Sequence, residues 1–159
     1  MAEGLAAVGA AASILQLIQC SSKVISRLKD FHSITSDLPE CYQEIEKNLT
    51  LVTPRVAEIR KAIETHSINE EEGDRLMPII NAYRDQVVEL DKIFQKTVPE
   101  KDDDQAKRAV KAMRSLSKDT KVKSIVEKLD RYMSAIKFHF DTTLKGLEEH
   151  VGKLPAHAI

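Results

Sequence analysis

The sequence predicts an all-α protein, an up-and-down bundle of four long helices and one short helix with the N-terminal helix at its centre. Apolar residues recur in steps of three and four along nearly the whole chain of 159 residues, which is the period of a helix face. Only five Gly and five Pro are present, too few for the many turns of an all-β fold. The length is that of one domain with a core of its own.

The first predicted helix spans residues 4–31 and carries no charge between Glu3 and Lys23. A helix that is apolar around most of its circumference is buried by several neighbours, which is why this helix is predicted to be central. As a membrane span the uncharged segment is marginal, because it consists largely of Ala, Gly, Ser and Gln. Its two adjacent apolar stripes comprise Val8, Leu15, Ile18, Ser22 and Ile25, and Ile14, Leu17, Ser21, Val24, Leu28 and Phe31.

The second helix is predicted to open at SDLPE, with Ser36 or Asp37 as the cap and Pro39 in the first turn, where proline is tolerated. Pro54 lies inside its pattern and predicts a kink. In the third helix, Pro78 marks either a kink or the true beginning after Asp74. The two apolar stripes run through Tyr42, Ile45, Leu49, Val52, Val56, Ile59 and Ile63, and through Leu76, Ile80, Tyr83, Val87, Leu90 and Phe94.

After a loop at 97–104, a short helix is predicted over about 105–117 and a last helix over about 120–151. The motif SKDT separates them weakly, and Gly152 is a suitable stop. The domain therefore spans 1–152, and 153–159 is expected to be a linker or a frayed tail. The apolar stripe of the last helix runs through Val122, Ile125, Leu129, Tyr132, Ile136, Phe140, Leu144, Leu147 and Val151.

Composition and motifs provide no catalytic site. The net charge is −1, so the overall field does not attract nucleic acid, and no nucleic-acid partner is expected. Cys20 and Cys41 lack metal-site or CxxC spacing and indicate reduced thiols in an intracellular protein. The acidic flank MAEG argues against a secretory signal peptide. No histidine pair has metal-ligand spacing, and no phosphate-binding loop or nucleophile elbow is present. We expect no enzyme, no metal and no cofactor.

Two features suggest a binding function. The first is the N-terminal run, in which Ala6, Gly9, Ala10 and Ser13 allow close helix packing, in a bundle or in lipid. The second is the segment 107–128, in which eight Lys or Arg less Asp119 and Glu127 give a net charge of +6. A solvated face is the commoner meaning of such a pattern, but a basic amphipathic helix also attracts anionic lipid. The bases that share one helix face are Lys107, Lys111, Arg114 and Lys118.

Three stretches carry a family resemblance: the Ala/Gly-rich first helix passing into ILQLIQCSSKVISRLKDF, the second helix SDLPECYQEIEKNLTLV, and the closing SIVEKLDRYMSAIKFHF. Together they resemble the fungal HeLo-like domains, especially the SesA type, at the N-termini of NOD-like (STAND) receptors. That family is similar in architecture to the four-helix bundle of mixed-lineage kinase-like pseudokinase. The resemblance implies a cell-death or immune signalling domain, as in heterokaryon incompatibility, without an invariant chemical motif.

The resemblance further implies a latent effector, cytoplasmic at rest and at the plasma membrane on activation. Self-association would free the N-terminal helix to target or permeabilise a membrane of anionic lipids, with the basic face as the lipid contact. A nucleotide-binding receptor domain, in cis or in trans, is the other implied partner. The alternative is a bundle that nucleates receptor assembly by protein–protein contacts and never meets lipid. The membrane-inserting residues would be Glu3, Leu5, Val8, Ile14, Leu15, Leu17 and Ile18.

Overall fold

The computed structural model describes residues 2–34, 38–68, 70–100 and 102–152. Side chains are described for 9–34, 38–68, 71–100, 102–112, 114–115 and 118–141. Within these ranges the chain forms a helical bundle, which confirms the all-α prediction. The helices are α1 (Ala2–Ile34), α2 (Glu40–Glu64), α3 (Glu70–Thr97) and α4 (Gln105–Gly152).

The helices are arranged in a ring, in the order α1, α2, α4, α3. Helix α1 packs against α2 and α3, and α4 packs against the same two helices. The N-terminal helix therefore occupies a corner of the bundle, and the prediction that it is central is wrong. Of the two apolar stripes of α1, only the one that runs from Ile14 to Phe31 is buried or partly buried at every position. In the other stripe Ile18 and Ile25 are partly buried, whereas Leu15 and Ser22 are exposed. The helix is therefore buried along one stripe and exposed along the opposite face.

The core follows the predicted stripes of α2 and α3. Every residue named in the α3 stripe is buried, and so is every residue of the α2 stripe except Ile63, which is partly buried. Helix α1 adds Ile14, Leu17, Val24 and Leu28, all fully buried. The core residues contributed by α4 are Val122, Ile125, Val126, Leu129 and Ile136.

A polar network runs from the core to the surface and joins three helices. Tyr83 on α3 donates a hydrogen bond to Asn48 Oδ1 on α2 (2.5 Å), and Asn48 Nδ2 donates to Asp130 Oδ1 on α4 (2.7 Å). Burial raises the pKa of the Tyr83 hydroxyl, with a smaller contribution from the negative charge of Asp130. Because buried polar groups are costly when unpaired, this network favours one register of the three helices.

Several helix ends differ from the sequence predictions. Pro39 is the residue before α2, not part of its first turn, and its carbonyl oxygen accepts hydrogen bonds from the amides of Tyr42 (3.0 Å) and Gln43 (3.1 Å). The candidate caps Ser36 and Asp37 lie outside the described residues. Helix α3 begins at Glu70 and contains Pro78 in its interior, which settles the open alternative against a start after Asp74.

The predicted short helix and last helix are a single helix of 48 residues. SKDT contains neither Gly nor Pro, so the backbone hydrogen-bond pattern can continue through it. An ion pair one turn apart, Lys123 Nζ to Asp119 Oδ2 at 3.1 Å, supports this part of the helix. Helix α4 is described up to Gly152, and the predicted stop at this residue stays a prediction. The proposed tail, 153–159, lies outside the described residues and stays a prediction.

Candidate functional site

The residues predicted to insert into a membrane all lie on α1, and the structure describes four of their side chains. Ile14 and Leu17 are fully buried in the core, Ile18 is partly buried, and Leu15 is 39% exposed. The side chains of Glu3, Leu5 and Val8 lie outside the described residues. From position 14 onward, the apolar surface of α1 is therefore mostly covered by α2 and α3.

One polar cluster joins α1 to α3 near the start of the described side chains. Ser13 Oγ donates a hydrogen bond to Asn81 Oδ1 (2.5 Å) and accepts one from Arg84 Nη1 (2.7 Å). The guanidinium of Arg84 is oriented by Asp85, whose Oδ1 accepts from Nε (3.2 Å) and Nη2 (3.0 Å). Ser13 is buried, so these contacts replace the water that its hydroxyl would otherwise bind.

A second polar cluster joins α1 to α3 fourteen residues later, around Arg27. Its Nη1 donates to Glu100 Oε1 (2.9 Å), and its Nε lies 3.4 Å from Asp91 Oδ1. Arg27 Nε and Asp91 Oδ1 are both buried and make no hydrogen bond of good geometry, so this contact is an ion pair alone. Gln95 Nε2 donates to the other oxygen of Asp91 (3.2 Å).

Beside Arg27 lies an open groove of ≈ 580 Å³ between α1 and the segment that follows α3. Its walls carry both signs of charge, from Lys23, Arg27 and Asp30 on one side and from Glu100 and Asp102 on the other. The mixture gives the groove no clear preference for a charged ligand.

The predicted cationic face lies on the first four turns of α4, but its four bases are not equivalent. Lys107, Arg114 and Lys118 are exposed. Lys111 is half-buried and forms an ion pair with Asp103. Val110 on the same segment is 47% exposed, so the apolar face predicted for this segment is not fully covered.

The acidic loop before α4 organises the start of that helix. Asp103 Oδ2 accepts a hydrogen bond from the Glu100 amide (2.9 Å), and Asp104 Oδ1 accepts from the Lys107 amide (2.7 Å). The hydrogen bond from the Glu100 amide holds the pKa of Asp103 below its ordinary value, and the hydrogen bond from Lys111 makes a smaller contribution in the same direction. Asp104 thus satisfies a backbone donor in the first turn of α4, and Asp103 satisfies one in the preceding loop.

The described residues contain no group of three or more His, Cys, Asp or Glu that could hold a metal ion. Cys20 and Cys41 are free thiols, and burial raises the pKa of both. Over the part of the chain that the structure describes, none of the helices is long and apolar enough to cross a bilayer.

The sequence did not identify the α1–α3 polar contacts. Arg27 lies outside the two apolar stripes predicted for the first helix, and Asn81, Arg84 and Asp91 carried no signal. Periodicity finds apolar faces, whereas a polar side chain at the edge of such a face is equally consistent with solvent or with a neighbouring helix. Only the packing of α1 on α3 distinguishes the two.

Comparison with known proteins gives one match. The family model for SesA, described as an N-terminal domain on NACHT_NTPase and P-loop NTPases, matches residues 11–136. This range includes Ser13, Arg27, Arg84, Asp91 and the first turns of α4. No curated protein and no solved structure matches the chain. Since the family model spans more than half of the 159 residues, the chain belongs to the SesA family of N-terminal NTPase domains.

Proposed function

We propose that this domain is a cell-death or immune signalling effector, in which α1 is held in the bundle at rest and released towards a membrane on self-association. The observation that carries the proposal is the position of α1. Its described apolar residues Ile14 and Leu17 are fully buried, but its neighbours Gly9 and Ala12 are exposed. An apolar segment that is covered at rest, and whose residues 9–13 carry only small side chains, is what a latent effector requires.

The energetics favour release of the N-terminal half. Burial of apolar surface contributes about 25 cal/mol per Å², and the small residues of 9–13 bury little of it. Uncovering Ile14 and Leu17 costs more, but lipid would return most of that free energy. A continuous helix satisfies its own backbone hydrogen bonds in the bundle and in lipid.

Any membrane contact would be shallow and shared among copies, since no described helix is apolar enough to cross a bilayer. Exposed bases on α4 supply an attractive surface for anionic lipid, at about 1 kcal/mol for each base near the membrane. Lys107, Arg114 and Lys118 are the exposed members of that surface. In this proposal the protein is cytoplasmic at rest and moves to the plasma membrane on activation.

Dye release from anionic liposomes tests the proposal, with self-association imposed through a fused dimerisation or trimerisation domain. The informative variant is Leu15→Glu, because Leu15 is 39% exposed and the bundle should tolerate a charge there. Leu51→Glu on α2 is the matched control, since Leu51 is 49% exposed and lies on a helix that remains in place. We expect release by the wild type and the control and little release by Leu15→Glu.

Circular dichroism and thermal melting establish that both variants are folded. Equal release by Leu15→Glu and Leu51→Glu would contradict a membrane role for α1. No release by any oligomeric form, at any content of anionic lipid, would contradict the membrane proposal as a whole.

The alternative function is assembly of a receptor through protein–protein contacts without lipid. Exposed apolar side chains on two other helices favour it, namely Leu51 on α2 and Phe138 on α4, which is 68% exposed. If this alternative holds, Leu51→Glu or Phe138→Glu should abolish self-association while Leu15→Glu has no effect. Size-exclusion chromatography with light scattering distinguishes the two functions without a membrane.

A further inference from the structure

The two polar clusters between α1 and α3 divide α1 into parts that are held differently. We propose that Ser13, Asn81 and Arg84 form a latch that controls opening of the N-terminal part of α1, and that Arg27 is an anchor that keeps the rest of α1 in the bundle. This inference rests on the proposed function, because it names the contact that regulates the release of α1.

The latch is the first polar contact between helices among the described side chains of α1. Before it lie Gly9 and Ala12, both exposed, and a Cβ added at Gly9 would meet no atom within 4 Å. The N-terminal part of α1 thus has open space on that side. Ser13 is hydrogen-bonded to both Asn81 and Arg84, so directional polar contacts, and not apolar packing alone, fix the closed position of this part of α1.

The anchor differs from the latch in its partners and in its surroundings. Arg27 contacts both Asp91 on α3 and Glu100 beyond the end of α3. Val24 and Leu28 on either side of it are fully buried, and Phe31 packs against Tyr42 with ring centroids 6.0 Å apart. The bond to Glu100 is exposed, but Arg27 Nε and Asp91 Oδ1 are buried. Breaking the Arg27–Asp91 contact is costly, because a buried charge would remain without its partner.

Between latch and anchor lies a weak point at Ser21. Its side chain is fully buried, and its Oγ has no hydrogen-bond partner among the described residues. A buried hydroxyl without a partner destabilises the closed state, and water would satisfy it once the segment opens. We therefore expect α1 to open from its N-terminal end to about residue 21, and to stay closed where the Arg27–Asp91 ion pair and the fully buried Val24 and Leu28 hold it.

Hydrogen exchange of the full chain, read by mass spectrometry, tests the latch directly. The latch variant is Arg84→Gln, and its matched control is Arg75→Gln, which removes an exposed α3 arginine that pairs with Glu71 one turn away (2.7 Å). We expect Arg84→Gln to accelerate exchange about tenfold at residues 9–20 and to leave residues 24–34 unchanged. Arg75→Gln should match the wild type in both segments.

Two further variants test the division of the helix. Arg27→Gln should accelerate exchange in both segments, since the anchor holds the part of α1 on which the rest depends. Ser21→Ala removes the unsatisfied hydroxyl and should slow exchange at residues 9–20. The latch is refuted if Arg84→Gln exchanges like Arg75→Gln, or if it accelerates residues 9–20 and 24–34 equally.

Liposome leakage, measured on the same variants, separates this inference from the function on which it rests. If Arg84→Gln opens residues 9–20 but neither this variant nor the wild type releases dye, the latch is supported and the membrane function is contradicted. If the wild type releases dye and Arg84→Gln changes neither exchange nor release, the membrane function stands and the latch falls. Opening of residues 9–20 together with faster dye release by Arg84→Gln supports both.

Discussion

The sequence predicted a binding role for both helix α1 and the first four turns of α4, but in the structure the two segments differ in how far they are packed against neighbouring helices. Most of α1 from Ser13 to Phe31 is tied to its neighbours by a buried apolar stripe and two polar clusters. Residues 105–121 of α4 contain no buried residue among those whose side chains are described. A stripe of Ile, Leu and Val thus predicts burial, whereas an apolar face of Ala and Val on a basic helix does not ensure a packing partner.

The largest expected effect is on stability and comes from shortening a buried side chain in the α1 stripe that runs from Ile14 to Phe31. Leu17→Ala should lower the free energy of unfolding by about 2–5 kcal/mol, because it removes fully buried methyl groups and leaves a cavity. Val110→Ala on α4 should change it by less than about 0.5 kcal/mol, as at other exposed positions. Urea denaturation followed by circular dichroism measures both; similar losses for the two variants would contradict the comparison.

The second effect concerns lipid attraction by the exposed part of α4. Lys107→Glu combined with Lys118→Glu should weaken binding to anionic vesicles at least about tenfold, given about 1 kcal/mol for each base near the surface. Lys111 is left intact, since it forms the ion pair with Asp103. The control variant reverses the charge at Lys47 and Lys61, both exposed on α2, by the same change to Glu. Vesicle co-sedimentation should show a loss for the α4 pair only, and an equal loss for both pairs would mean non-specific attraction.

A third, smaller effect is a pH dependence at the start of α4. The pKa of Asp103 is lowered in the folded protein, so the folded state favours the carboxylate. The resulting stability is present above its ordinary pKa of 3.8 and is lost as the pH falls through the folded value. Asp103→Asn should therefore lower the melting temperature at pH 7 and have little effect at pH 2. A shift of the same size at both pH values would rule out this origin.

The smallest effect is on thiol reactivity. Burial raises the pKa of Cys20 and Cys41, and the thiolate is the reactive form. At pH 8 both thiols should react with a disulfide reagent several-fold more slowly in the folded protein than in urea. Cys20 lies in α1 between latch and anchor, so Arg84→Gln should accelerate Cys20 and leave Cys41 on α2 unchanged. Equal acceleration at both positions would indicate global unfolding instead of local opening.

The sequence predicted the fold through periodicity, and it failed where contacts depend on which helices are neighbours. The stripes from Tyr42 to Ile59 and from Leu76 to Phe94 are buried as predicted. The corner position of α1 was missed, because the pattern of a single helix does not specify the order of helices in a ring. The continuity of α4 was missed because SKDT, although polar, contains neither Gly nor Pro to end a helix. For the candidate site, the sequence located the apolar and basic segments, but Arg84 and Arg27 acquire their roles only from contacts across α1 and α3.

The central claim is that the N-terminal part of α1 is held in the bundle at rest and leaves it on activation. Distance measurement by double electron–electron resonance tests this most directly. One spin label is attached at Gln16→Cys on α1 and the other at Lys92→Cys on α3, both exposed positions. The native Cys20 and Cys41 are replaced by Ala. We predict one narrow distance for the protein in solution and a second, longer distance for the oligomeric protein on anionic vesicles. An unchanged distance in fully vesicle-bound, oligomeric protein would contradict the account.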